Sequence, residues 1–177
     1  MIKNALITAG IENAKVKASA PFDVSGTAAL TGILKGFESS SAGKKIDENK
    51  KEVANKELVT TGDIGEKIGQ NDASNLMNDI KKEVIKEKPK TDQEINKIVD
   101  TAIKEYEDKL SDQDVANIKD VMSKINALDL NYNNLKDQLN DVTNQLQDKL
   151  SSTEAKGFLA KISEMFSNLL DSIKSLF

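Results

Sequence analysis

Two stretches decide the fold class: Thr91-Asp92-Gln93-Glu94-Ile95-Asn96-Lys97-Ile98-Val99-Asp100-Thr101-Ala102-Ile103-Lys104-Glu105-Tyr106, and Ser111-Asp112-Gln113-Asp114-Val115-Ala116-Asn117-Ile118-Lys119-Asp120-Val121-Met122-Ser123-Lys124-Ile125. Each opens with a hydroxyl residue followed three positions later by an acid, the sequence form of a helix-opening capping box. Each continues with apolar residues three and four apart: Ile95, Ile98, Val99, Ala102, Ile103 and Tyr106 in the first, and Val115, Ile118, Val121, Met122 and Ile125 in the second. That spacing places them on one helical face. The pair is read as a helical hairpin.

Downstream, Leu128, Tyr132, Leu135, Leu139, Val142, Leu146 and Leu150 recur at spacings of four and three, a heptad seam of about three repeats. Asn and Gln flank it rather than ordered charges, so the seam is expected to pack within the chain rather than dimerise. Ser151 to Glu154 forms another capping box and begins a terminal amphipathic helix. Its apolar face is Phe158, Leu159, Ile162, Met165, Phe166, Leu169, Leu170, Ile173, Leu176 and Phe177, the candidate interaction face of the sequence. Docking on its own chain is the first expectation for this helix. A lipid surface is the second, although the polar side offers only Lys156, Lys161 and Lys174.

Upstream, residues 2–9 form a short apolar element ended by Gly10. From Asn13 to Ala20 the pattern changes to a period of two: Ala14, Val16, Ala18 and Ala20 alternate with Asn13, Lys15, Lys17 and Ser19. This predicts a short β-strand stopped by Pro21. Its pairing partner would be residues 2–9, another chain or a segment upstream. Ser25 is a helix cap for Ala28, Ala29, Leu30, Ile33, Leu34 and Phe37, and the small residues Gly26, Ala28, Ala29 and Gly32 suit a closely packed neighbour. A loop over Ser39–Gly43 precedes a lysine-rich helix to about Val59, supported by the pairs Asp47–Lys51 and Glu52–Lys56. Gly62, Gly65 and Gly69 are read as breaking the chain into turns, without the Gly-Lys-Ser/Thr of a phosphate loop. Asn71 or Asp72 then caps a helix carrying Leu76, Met77, Ile80 and Val84, which ends before Pro89.

The expected fold is therefore mainly α (α+β): a helical, bundle-like chain with one short β-strand near the N-terminus and an amphipathic C-terminal helix. Its expected parts are an α+β unit at 1–89, the hairpin and heptad helix at 90–150, and the terminal helix at 151–177.

Composition narrows the chemistry. All 25 basic residues are Lys, and Cys and His are absent from the 177 residues. Without Arg the chain lacks the bidentate fork that reads guanine edges and phosphates, and its net charge of −4 opposes a broad nucleic-acid surface. The absence of His and Cys removes the usual nucleophilic triads and zinc sites. Asp129, Asn131 and Asn133 match the opening of a calcium loop, but Asn134 and Asn140 stand where that loop needs Gly and a bidentate Glu. Lys44, Lys45, Lys50 and Lys51 are read as a solvated helix face. No catalytic residue, cofactor or metal ligand is singled out, and carboxylate chemistry would need two acids in a shared cleft. No apolar run approaches the ~20 residues of a membrane span, and the first residues do not form a signal peptide.

The motif Ala5-Leu6-Ile7-Thr8-Ala9-Gly10-Ile11, with Ala14-Lys15-Val16 and Ala20-Pro21-Phe22-Asp23-Val24-Ser25-Gly26-Thr27-Ala28-Ala29-Leu30-Thr31-Gly32, is more distinctive. Together with Ala54-Asn55-Lys56-Glu57-Leu58-Val59-Thr60-Thr61 and Gly69, it resembles the domain-of-unknown-function family numbered one-thousand-and-two. The resemblance is strongest over residues 1–90 and continues more weakly to 177. That family occurs in Gram-positive bacteria and is typically exported. The resemblance implies an extracellular or cell-envelope location, and a missing signal peptide and upstream β-containing segment; it brings no activity, ligand or site residue. Together these readings favour a non-catalytic, exported or cell-envelope interaction module whose partner is a protein or envelope component. A peripheral membrane-surface binder acting through the terminal helix is the alternative, followed by a carboxylate enzyme.

Overall fold

The computed structural model describes residues 1–12, 14–41 and 43–147. Among them are seven α-helices: α1 (Ile2–Thr8), α2 (Gly26–Glu38), α3 (Glu48–Ile68), α4 (Gln70–Glu87), α5 (Asp92–Ala102), α6 (Asp112–Ala127) and α7 (Tyr132–Gln147). A 3-10 turn, Lys104–Tyr106, follows α5. The candidate face at 158–177 lies outside the described residues.

The helix starts follow local chemistry. Ser25 Oγ accepts the Ala28 N–H at 3.1 Å, and Asp47 Oδ1 accepts the Lys50 N–H at 3.1 Å. Thr91 with Glu94, and Ser111 with Asp114, form both halves of their capping boxes. Each satisfies donors that a first helical turn leaves without partners.

Two expectations are corrected. The first is the strand. Residues 14–20 hold neither strand nor helix, and no strand occurs among the described residues, whose regular structure is therefore all helical rather than α+β. A strand needs a second one to pair its backbone, and residues 2–8, the in-chain candidate, are helical. The alternating side chains are therefore exposed on both sides. The second correction concerns Gly62 and Gly65, which do not break the chain. The helix α3 runs through both and stops only at Gly69, whose φ of 96° lies in the left-handed region that favours glycine. Gly in a helix interior costs roughly 1 kcal/mol relative to Ala, and here Ile64 and Ile68 bury on either side of Gly65 and hold the helix together.

The ion pairs also differ from the local ones expected. Lys51 pairs with Glu38 across to α2 at 2.7 Å and with Glu48 at 2.9 Å. Lys56 reaches Asp120 on α6 rather than Glu52.

The helix α4 is the axis of the molecule. It packs on α3, α5, α6 and α7, and its residues 73–81 are all buried. Leu76, Met77, Ile80 and Val84 join Ile95, Ile98, Val99, Ile118, Val121, Met122 and Ile125 in the larger core. Over the described residues the heptad seam turns into the chain: Leu135, Leu139 and Val142 are buried in that core, and α7 lies on α4. A smaller core, with Ala5, Leu6, Leu30, Leu34, Ala54 and Leu58, joins α1, α2 and α3.

Candidate functional site

Two places hold chemistry that secondary structure does not consume. The first is a polar seam inside the bundle. Lys81 on α4 and Glu57 on α3 are fully buried, with their charged ends 2.8 Å apart. The Lys81 ammonium also donates to the Asn4 carbonyl oxygen at 2.8 Å and to Thr8 Oγ1 at 3.3 Å. The Thr8 hydroxyl in turn donates to the other Glu57 oxygen. Burial pulls the Lys81 pKa below its ordinary value, and the Glu57 charge opposes that shift. On the other side of α4, Asn78 donates to the Leu139 carbonyl at 3.1 Å and to Thr143 Oγ1 at 3.0 Å. Asp79 accepts from the Thr143 hydroxyl at 3.4 Å, and burial pushes its pKa up to about 6. Asn4, Asn75 and Asn78 each keep a buried side-chain oxygen without a hydrogen-bond partner among the described residues.

A carboxylate enzyme would require two acids in a shared cleft. Here, however, Glu57 is closed in by α1, α3 and Lys81, while Asp79 turns to α7. The two do not share an opening, and neither is open to a substrate. The seam fastens α1 and α7 to the central helix. Sequence reading missed it because Glu57 and Lys81 are 24 positions apart on helices whose solvated faces also carry Lys and Glu.

The second place is a groove of about 1170 Å³ between residues 14–20, with Glu12 and Val24, and α2. One wall is the extended segment that alternates in sequence. The other is the α2 face bearing Ala28, Gly32 and Gly36, with Ala29, Ile33 and Phe37 beside it. These residues are four apart and so stack along one side of the helix. Only Leu30 and Leu34 of α2 are fully buried, so the helix docks by a narrow stripe and leaves this face outward. The close neighbour expected of the small residues is present at Gly26, where an added Cβ would lie 3.5 Å from Leu58. At Gly32 and Gly36 an added Cβ would meet nothing within 4 Å.

The segment itself is unusually bare. None of the N–H or C=O groups of residues 14–20 bonds to another described residue. Phe22 is 73% exposed, Val24 44% and Val16 43%, three apolar side chains close together in the chain. Exposed apolar residues are ordinary one at a time; these three fall within one short stretch of chain whose backbone is also bare. The charged side chains lining the groove are Lys15, Lys17, Lys44 and Glu12, three bases to one acid in a chain whose net charge is −4.

The calcium-loop residues are used otherwise. Asn131 Oδ1 accepts the Asn133 N–H at 2.9 Å and caps α7. Asp129 accepts from Lys88, which holds its carboxyl below the usual range. Among the described residues no group of three or more Asp or Glu is placed to hold a metal ion, and no helix is long and apolar enough to cross a membrane.

Comparison with known proteins follows the distinctive N-terminal motifs. The family model described as "Protein of unknown function (DUF1002)" matches residues 1–142. The chain is 39% identical over 178 residues to the uncharacterized protein YpuA of Bacillus subtilis (strain 168), an alignment covering 100% of this chain. The chain spans 61% of that relative's length. No solved structure matches. The motif at 5–32, which builds α1, the bare segment and α2, thus lies within the matched region, and the chain belongs to the DUF1002 family, a family of unknown function.

Proposed function

We propose that this chain is a non-catalytic interaction module of an exported or cell-envelope protein, and that the groove between residues 14–20 and α2 is its docking face. One observation carries the reading: a segment with bare backbone, bearing the exposed Val16 and Val24, stands over an outward helix face, with the exposed Phe22 beside it in the chain. Loops held open in this way on a rigid helical support are where binding residues concentrate. The extracytoplasmic location rests on the family resemblance.

A photo-reactive benzoylphenylalanine at Phe22 tests this, with the same group at the exposed Gln113 on the far side of α6 as control. Covalent adducts to a protein from Phe22 alone support the reading. Adducts from both positions or from neither overturn it.

The one-sided apolar pattern of 158–177 favours a second reading, peripheral membrane-surface binding. Flotation with anionic liposomes by the full chain, lost in a chain ending at Leu150, would put this reading first.

A further inference from the structure

We propose that the groove takes an acidic, extended segment of a partner protein, laid alongside residues 14–20 and hydrogen-bonded to their main chain. The inference rests on the docking face described above and names the chemistry of its occupant.

Three features converge on that occupant. The groove's volume of about 1170 Å³ exceeds the ~300–1,000 Å³ typical of small-molecule pockets, and residues 14–20 line it one after another. A row of unpaired N–H and C=O groups on residues 14–20 offers an extended chain the one bonding pattern that a helix, with its own amides satisfied internally, cannot use. In the free chain these residues form no strand; the pairing belongs to the complex. The third feature is charge. Lys15 and Lys17 lie on one side of the segment and Lys44 stands by the groove, against Glu12 alone. A second copy of this chain would bring Lys15 and Lys17 against their own equivalents, and like charges opposite one another are unfavourable. A partner with acids at alternate positions places them on these lysines. Its intervening small apolar side chains then face Ala28, Gly32 and Gly36, where bare glycine leaves room.

The test uses the full chain, labelled with nitrogen-15, and an eight-residue capped peptide alternating Asp with Val and Ala. A peptide with Lys in place of Asp is the control. The expected result is shifted amide resonances at residues 14–20 and along Ala28, Gly32 and Gly36. Affinity should fall about tenfold or more on charge reversal in Lys15→Glu/Lys17→Glu, and similarly in salt of about 0.5 M. Gly32→Leu and Gly36→Leu should block binding by filling the groove, while core resonances stay in place because a better helix former replaces each glycine. Equal shifts with the Lys peptide, shifts confined to another surface, or none at about 1 mM peptide would each overturn the proposal. A protein adduct from Phe22 whose contacting segment carries no acids would overturn it too, while leaving the interaction-module reading intact.

Discussion

Replacing Lys81 by Met should destabilise the fold by roughly 3–5 kcal/mol, the cost of leaving one member of a buried ion pair unpaired. The structure shows why this site belongs at that end of the scale. Lys81 is fully buried, and its ammonium serves three acceptors: the Glu57 carboxylate, the Asn4 carbonyl and Thr8 Oγ1. Methionine fills much of the same volume and donates to none of them. Glu57 is then left buried with only the Thr8 hydroxyl as a partner. Hydrogen bonds to charged groups are worth about 1.5–3 kcal/mol each, so losing the two at 2.8 Å gives roughly 3–6 kcal/mol, which overlaps that range. The double variant Lys81→Met/Glu57→Leu removes both charges and should return to within about 2 kcal/mol of the parent, since apolar replacements of buried pairs are often neutral. Glu57→Gln should behave differently from Lys81→Met. A buried Lys can shed its proton, so that variant should regain stability as pH rises through the lowered Lys81 pKa. The chain has no Trp, so urea unfolding is best followed by far-ultraviolet circular dichroism. A cost below about 1 kcal/mol for Lys81→Met, or a double variant as unstable as the two single losses summed, would refute the account of the seam as a charge-paired clamp.

Two further outcomes follow from single residues. Burial raises the Asp79 pKa from 3.8 to about 6, so the folded chain holds this proton where the unfolded chain has lost it, and stability should fall as pH rises from about 4 to 6. The full difference of about two pKa units corresponds to ~3 kcal/mol. Asp79→Asn, which keeps an acceptor for Thr143, should abolish that slope and stabilise the protein at pH 7, read from urea midpoints at pH 4 and pH 7; an unchanged slope would refute it. A Cβ at Gly43 would lie 1.7 Å from the Phe37 carbonyl oxygen, a backbone atom that a side-chain rotation cannot move aside. Gly43→Ala should therefore cost roughly 1–3 kcal/mol and loosen the turn after α2, seen as a lower melting temperature, whereas an unchanged melting temperature would show that the turn relaxes freely.

The outer helices were legible in the sequence because each is amphipathic and begins at a polar cap. Ser25, Thr91 and Ser111 mark the starts of α2, α5 and α6, and the heptad residues Leu135, Leu139 and Val142 turn inward as their spacing requires. Membership of the family was equally legible, in the motifs of α1, α2 and α3. The sequence by itself thus determined a helical class, the starts of α2, α5 and α6 and the apolar faces, since these depend on contacts within about one helical turn; α4 is capped by Gly69 rather than by Asn71 or Asp72. Only the tertiary structure decided what surrounds α4. Ser74, Asn75, Asn78, Asp79 and Lys81 would suit a solvated face by composition, yet all are buried because four helices pack around them. Only the tertiary structure, likewise, decided that the period-two segment at 14–20 stays unpaired. Alternation marks a chain suited to pairing, but the partner is a separate piece of backbone that no local pattern supplies, and here the adjoining residues 2–8 had already formed a helix.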